Sequence, residues 1–146
     1  KKQALSASCF SEGTEVIFGC GGAVGNYVMK AAEAKKAKVI GVDVDQSPES
    51  KTVITSAMKN LGKAVYDAID SVYKDKFEGG IAANLDASVD GIQLPMETST
   101  FKDFSNDDYK ALFEKLVDGS VKVLKDDAAT SADQLTTTVV KVNVVK

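Results

Sequence analysis

Hydrophobic and polar positions along the chain switch repeatedly between a helical and an extended period. Good helix formers run from residue 2 to 12 and stop at Gly13, after which Glu15-Val16-Ile17-Phe18 reads as a short buried strand. A glycine cluster follows at Gly19, Gly21, Gly22 and Gly25. Val24, Val28, Ala31 and Ala32 then fall at i, i+4, i+7 and i+8, which predicts a helix closing in a lysine-rich last turn at Lys35 and Lys36. Lys38 to Asp43 is a second strand, built on Val39-Ile40-Gly41-Val42. A polar loop with Pro48 leads to a third, β-branched strand at Val53-Ile54-Thr55. Thr55 and Ser56 are N-cap candidates for the next helix, where Leu61, Ala64, Val65, Ala68, Ile69 and Val72 mark one apolar face through Tyr73. Beyond Gly79-Gly80, Ile81 to Leu85 is a fourth strand candidate, with Val89 to Leu94 as a short hairpin partner.

After Pro95 the character changes. Residues 96–104 are irregular, and Ser105-Asn106-Asp107-Asp108 offers an N-cap with acidic residues in the first turn. Tyr109, Leu112, Phe113, Leu116 and Val117 form that helix's apolar face, and Gly119 ends it. Ser120 to Leu124 is a short strand candidate, residues 125–134 read as a polar surface stretch, and the β-branched tail from Thr136 to Val145 as a strand. Alternating strands and helices of these lengths predict an α/β domain, with a mainly parallel sheet and helices on both faces.

With 146 residues the chain is near the commonest domain size, and 44% apolar residues suffice for a sizeable core. What is missing narrows the chemistry further. All 18 basic residues are Lys, with no Arg and no His. The chain alone therefore supplies no imidazole base, no imidazole metal ligand and no guanidinium fork for phosphates or guanine edges. A net charge of -3 and a pI near 5.0 argue further against nucleic acid as a partner. No cofactor and no metal are expected. No apolar run is long enough to span a membrane. The start shows no initiator Met, signal peptide or lipidation motif, as expected of a processed or shortened chain. Cys9 and Cys20 are too few for a disulfide scaffold, and both are expected to be small buried residues.

In an open parallel sheet, ligands bind outside the carboxyl ends of the strands, and three consecutive strand ends here carry polar or glycine-rich elements. The first ends in Gly19-Cys20-Gly21-Gly22, the second in Asp43-Val44-Asp45-Gln46, the third in Thr55-Ser56 with Lys59 beyond. All three are expected to face one crevice. Gly21 and Gly22 let backbone N–H groups approach a ligand, although a plain strand-to-helix turn needs them equally. Asp43 stands where an α/β domain commonly offers a carboxylate to vicinal sugar hydroxyls, while Asp45 either joins it or caps its own loop. Lys59 can donate to a hydroxyl or pair with Asp43.

At these residues a family likeness becomes specific. The segments Glu15 to Phe18 with Gly21-Gly22 and Gly25, then Val39 to Gln46, then Ile54-Thr55-Ser56-Ala57-Met58-Lys59-Asn60 resemble the basic membrane protein family, substrate-binding lipoproteins of ABC transporters whose characterised members bind purine nucleosides. Phe77 to Gly80, Asp90-Gly91-Ile92 and Gly119 to Val123 are similar to later parts of that family. The resemblance implies a two-lobed type I periplasmic-binding-protein architecture, of which residues 1–124 look like the second lobe and 125–146 a C-terminal extension. It further implies Gly22 near the base, Asp43 on the ribose hydroxyls, and Lys59 on the ribose or orienting Asp43. Permease subunits as partners and a bacterial extracytoplasmic location, anchored by a lipid on an upstream cysteine, follow from the same resemblance. One departure is the turn itself: the family often has Gly-Gly-Thr-Gly where Gly22 is followed here by Ala23-Val24-Gly25, so a hydroxyl is lost and an isolated lobe should bind weakly.

Two other classes stay open. A glycine turn followed by an acidic residue also looks like a nucleotide-cofactor enzyme, either an S-adenosylmethionine methyltransferase or an NAD(P) oxidoreductase. Phe18 replaces the acidic residue expected of the first, and G-x-G-G-x-x-G departs from the spacing of the second. A structural or interaction domain without a small ligand is the remaining reading.

Overall fold

The computed structural model describes residues 2–124, 129–135 and 137–144. Helix α1 (Lys2–Ser11) stops at Gly13, whose φ of +101° only glycine adopts without strain. Strand β1 (Val16–Phe18) follows, then helix α2 (Val24–Lys35) and strand β2 (Lys38–Asp43). The end of α2 is closed by Lys36 in the left-handed region at φ 55°, its N–H reaching the carbonyls of Ala32 and Glu33. Strand β3 (Val53–Lys59) then leads into helix α3 (Leu61–Tyr73). A short 3-10 turn (Ala87–Val89), strand β4 (Ile92–Gln93) and helix α4 (Asn106–Val117) complete the main elements.

The sheet order is β1-β2-β3-β4, with β1, β2 and β3 parallel and β4 antiparallel to β3. The fold is thus α/β with a mostly parallel sheet and helices. Its core lies where α1 and α2 meet the sheet: Phe10, Val28, Met29, Ala31, Ala32, Val39 and Val53 form one buried cluster. Ala31 and Ala32 are small enough to bring α2 close to the strands. The loop between β2 and β3 is tied to α2 by the Ser50 hydroxyl, which donates to Glu33 Oε1 at 2.7 Å.

Several expectations change. Strand β1 is not buried: it is the edge of the sheet, and Val16 and Phe18 are 37% and 49% exposed. Thr55 and Ser56 are not N-caps, because β3 continues through Lys59 and Asn60 caps α3 by accepting from the Lys63 N–H. The reason is lateral pairing: Ser56 and Met58 sit in register with Gly41 and Asp43 of β2. Ile81 to Leu85 forms no strand, and the proposed hairpin partner contributes only Ile92–Gln93, which pairs with β3 instead. Gly91 decides this, since a Cβ there would meet the Leu85 carbonyl oxygen at 2.2 Å while its own carbonyl accepts from Asn60 N–H. Ser120 to Leu124 carries no strand, because the Ser120 N–H and hydroxyl turn back onto Asp118. Residues 137–144 carry none either, and Thr136 and Val145 lie outside the described residues.

The segment after β4 straps across the sheet. The Thr100 N–H donates to the Ile54 carbonyl at 2.8 Å, and the Ser99 and Thr55 hydroxyls share a hydrogen bond of 2.8 Å. Helix α4 opens with a capping box between Ser105 and Asp108, as its sequence predicts.

Candidate functional site

Parallel pairing of β1, β2 and β3 brings their carboxyl ends to one edge of the sheet. There the structure assembles three of the expected elements: the turn Gly19-Cys20-Gly21-Gly22, Asp43 and Lys59. Lys59 Nζ lies 2.7 Å from Asp43 Oδ1. The contact is an ion pair, and Asp43 Oδ1 itself is covered. The two side chains nevertheless remain 41% (Asp43) and 64% (Lys59) accessible, open to a ligand. The close contact with Asp43, and then its negative charge, raises the Lys59 ammonium above its ordinary pKa, with a smaller contribution from neighbouring Cys20. Cys20, expected to be buried, is exposed at this edge.

The backbone at Asp43 is unusual. Its φ is +70°, and the Val44 N–H donates to the Val42 carbonyl at 2.9 Å, closing a γ-turn of the rare positive-φ kind. Strain of that sort persists only when the surroundings over-determine it, and it concentrates at functional sites. Gly22 also has positive φ, at +56°, with open space where a Cβ would point. Gly19 is needed for a different reason: an added Cβ would stand 3.2 Å from the Gly25 Cα, so the first turn of α2 packs directly on the loop. Helix α2 begins behind Ala23, with no side chain capping it.

Asp45 is turned into its own loop. It accepts from the Ser47 N–H at 2.9 Å, the Ser47 hydroxyl at 3.1 Å and the Thr98 hydroxyl at 2.8 Å. Burial pushes its carboxyl up, but these hydrogen bonds together outweigh it and hold the pKa below the ordinary value. Thr98 ties the strap to the site edge from 53 positions away, a partnership with no local signal.

Gln46 was also missed. Its Oε1 accepts from the Val42 N–H at 2.9 Å and its own N–H donates to the Ser56 hydroxyl at 3.0 Å. Glycine in the middle of an otherwise apolar strand, Gly41, was the available clue that something approaches closely there. Three surface concavities of about 360, 600 and 540 Å³ are lined by other parts of the chain and include none of these residues. Among the described residues no cluster of acidic or cysteine side chains could hold a metal. A carboxylate, an ammonium and a glycine turn on an open edge can accept from and donate to a polar small molecule.

A family model for ABC transporter substrate-binding proteins of the PnrA-like kind, Bmp, matches residues 1–127. The chain belongs to the Bmp family. Relatives of this Bmp chain include the ABC transporter nucleoside-binding protein BmpA of Lactococcus lactis, 30% identical over 68% of this chain and 34% of that protein. A CD4+ T-cell-stimulating antigen of Listeria monocytogenes is 32% identical over 84% of this chain and 39% of its own length. The chain thus spans between a third and two fifths of these relatives. Among solved structures, an ABC transporter solute-binding protein from Conexibacter woesei superposes with a TM-score of 0.62 at 20% identity, covering 84% of this chain and 41% of that one. A solute-binding protein from Aeropyrum pernix gives 0.59 at 22%, over 84% and 44%. At such identities these likenesses show the fold, and they agree with one lobe of a periplasmic-binding-protein-like architecture.

Proposed function

We propose that residues 1–124 are the second lobe of a two-lobed extracytoplasmic receptor that binds a purine nucleoside for uptake by an ABC transporter. Asp43 accepts from two vicinal ribose hydroxyls, Lys59 donates to the ribose or its ring oxygen, and the Gly21-Gly22 turn lies against the base. Asp45 holds the loop that carries Asp43. The observation that carries this reading is the open Asp43–Lys59 pair, 2.7 Å apart at the carboxyl end of a parallel sheet and beside a glycine turn, in a chain of the Bmp family. The name of the Lactococcus relative supports nucleoside as the ligand class. The mechanism is reversible recognition: ligand bridges the lobes, the closed population rises, and the closed form docks on the permease. Attachment to the membrane through a lipid on an upstream cysteine belongs to the same proposal.

Calorimetric titration with adenosine, guanosine and inosine tests it, using the protein that carries both lobes. Asp43→Asn keeps a residue type that tolerates positive φ while removing the charge. It should cost roughly ten- to hundredfold in nucleoside affinity, the range for hydrogen bonds to a charged group. Unchanged affinity in that variant, or S-adenosylmethionine binding in place of nucleosides, sinks the reading.

A further inference from the structure

The strained backbone at Asp43 needs a restraint, and the residues around it show one. Gln46 folds back over the end of β2, its Oε1 taking the Val42 N–H at 2.9 Å while its backbone N–H is fixed by the Ser56 hydroxyl at 3.0 Å. Ser56 is fully buried in β3, so that anchor does not move with the loop. Two glycines make the room. An added Cβ at Gly41 would stand 2.9 Å from Gln46 Oε1 and 2.5 Å from Ser56 Oγ, and one at Gly25 would reach Gln46 Oε1 at 4.0 Å. The Gln46 carboxamide therefore sits in a slot between β2, β3 and the first turn of α2. Its own Nε2 donates to Glu49 Oε1 at 3.2 Å, which fixes which end of the amide faces Val42.

We propose that Gln46 is the positioning residue of this site: by clamping the Val42 N–H from a slot lined by Gly25, Gly41 and Ser56, it holds Asp43 in the γ-turn that aims its carboxylate at Lys59 and the ligand. Gln46 acts through Asp43 rather than on the ligand itself. It closes a five-residue loop in which Val42 and Gln46 are both pinned, so Asp43 is left with the positive-φ turn as the way to complete the chain. The inference rests on the nucleoside-receptor reading for its effect on affinity, but its structural half stands without any ligand.

Two readouts test it. The first is the NMR titration of the Lys59 side chain in the ligand-free protein, where the upward displacement reports how closely Asp43 is held. Gln46→Met, similar in length but lacking the acceptor, should move Lys59 back toward its ordinary titration, and Asp43→Asn should do so fully. Gly41→Ala should do the same from the other wall of the slot, where its Cβ would stand 2.9 Å from Gln46 Oε1. The second readout is nucleoside affinity by calorimetry. Gln46→Met should lose about three- to tenfold, the scale of one hydrogen bond, and should add nothing when Asp43→Asn is already present. A Lys59 titration unmoved in Gln46→Met and Gly41→Ala overturns the proposal, and so do affinity losses that simply add. If Gln46→Met does not fold, the Gly41→Ala and Gln46→Ala titrations decide alone. Asp43→Asn with undiminished affinity defeats the receptor reading instead, while the Lys59 titration still judges Gln46.

Discussion

Of the stretch from α1 to β3 and the stretch from α3 to α4, the second has the more amphipathic helices, yet among the described residues only the first has a core. Apart from Ala87, every buried hydrophobic residue among those described lies between Phe10 and Val53. Helix α3 has the cleaner apolar stripe, but Leu61, Val65, Ile69 and Val72 on it are 49%, 59%, 53% and 55% exposed and none of its residues is buried. Periodicity reports that a face is made to be covered; it does not report what covers it. A proposal that this chain is one lobe of a larger receptor gives α3 a surface to pack on, and the open edge of β1 a second.

The largest effect that can break this contrast comes from the packed stretch. Phe10 joins α1 to α2 and the sheet, and Phe10→Ala should destabilise the chain by about 3–5 kcal/mol. Urea denaturation reads this as a lower midpoint at unchanged slope. A cost below about 1 kcal/mol would show that α1 is not part of the core. In the second stretch, local rules should dominate. Ser105 accepts from the Asp108 N–H and Asp108 returns the favour to the Ser105 N–H, so Ser105→Ala should cost about 1 kcal/mol and loosen only the start of α4. Hydrogen exchange over residues 106–109 is the measurement, and slowed exchange there would contradict it.

Acid sharpens the comparison where Asp45 and Thr98 join the two stretches at the site edge. The folded-state pKa of Asp45 lies below 3.8, so its hold on Thr98 is present above the unfolded carboxylate value and is lost as pH falls through the folded one. Resonances of Thr98 and Ser47 should therefore move together on titration toward pH 2, with a midpoint below 3.8. A midpoint above it would mean that the strap does not depend on this carboxylate. The Lys59 contribution has the opposite sign: it is present below 10.5 and lost as pH rises through the raised folded value.

What could be read from the sequence follows the same division. Strands β1 and β2 were legible because apolar runs bounded by glycine and charge are short-range signals, and the α/β topology then placed Asp43 near Lys59, so that their pairing was one of the two expected roles of that lysine. Strand β3 was read too short because Ser56 looked like a cap, whereas its hydroxyl is spent on Gln46 across the sheet. Ile81 to Leu85 looked like a strand from composition alone, but a strand needs a neighbour, and among the described residues none pairs with it. Thr98 was invisible because its partner lies 53 positions away, and Gln46, anchored 10 positions away on Ser56, left only Gly41 as a clue.

The smallest expected effect discriminates most. Ile69→Asp places a carboxylate in the middle of the α3 stripe, a change that in a buried face leaves an uncompensated charge and costs several kcal/mol. In this 146-residue chain Ile69 is 53% exposed, so the carboxylate stays hydrated and the cost should not exceed about 0.5 kcal/mol. Introduced into a protein that carries both lobes, the same substitution should become strongly destabilising, because the face it sits on would then be an interface. Equal, small effects in both contexts would leave α3 a solvent-facing helix and remove the argument that the second lobe packs on it. A large effect in the short chain would mean that copies of the chain already cover that stripe in solution, which sedimentation at several concentrations would reveal as association that Ile69→Asp abolishes.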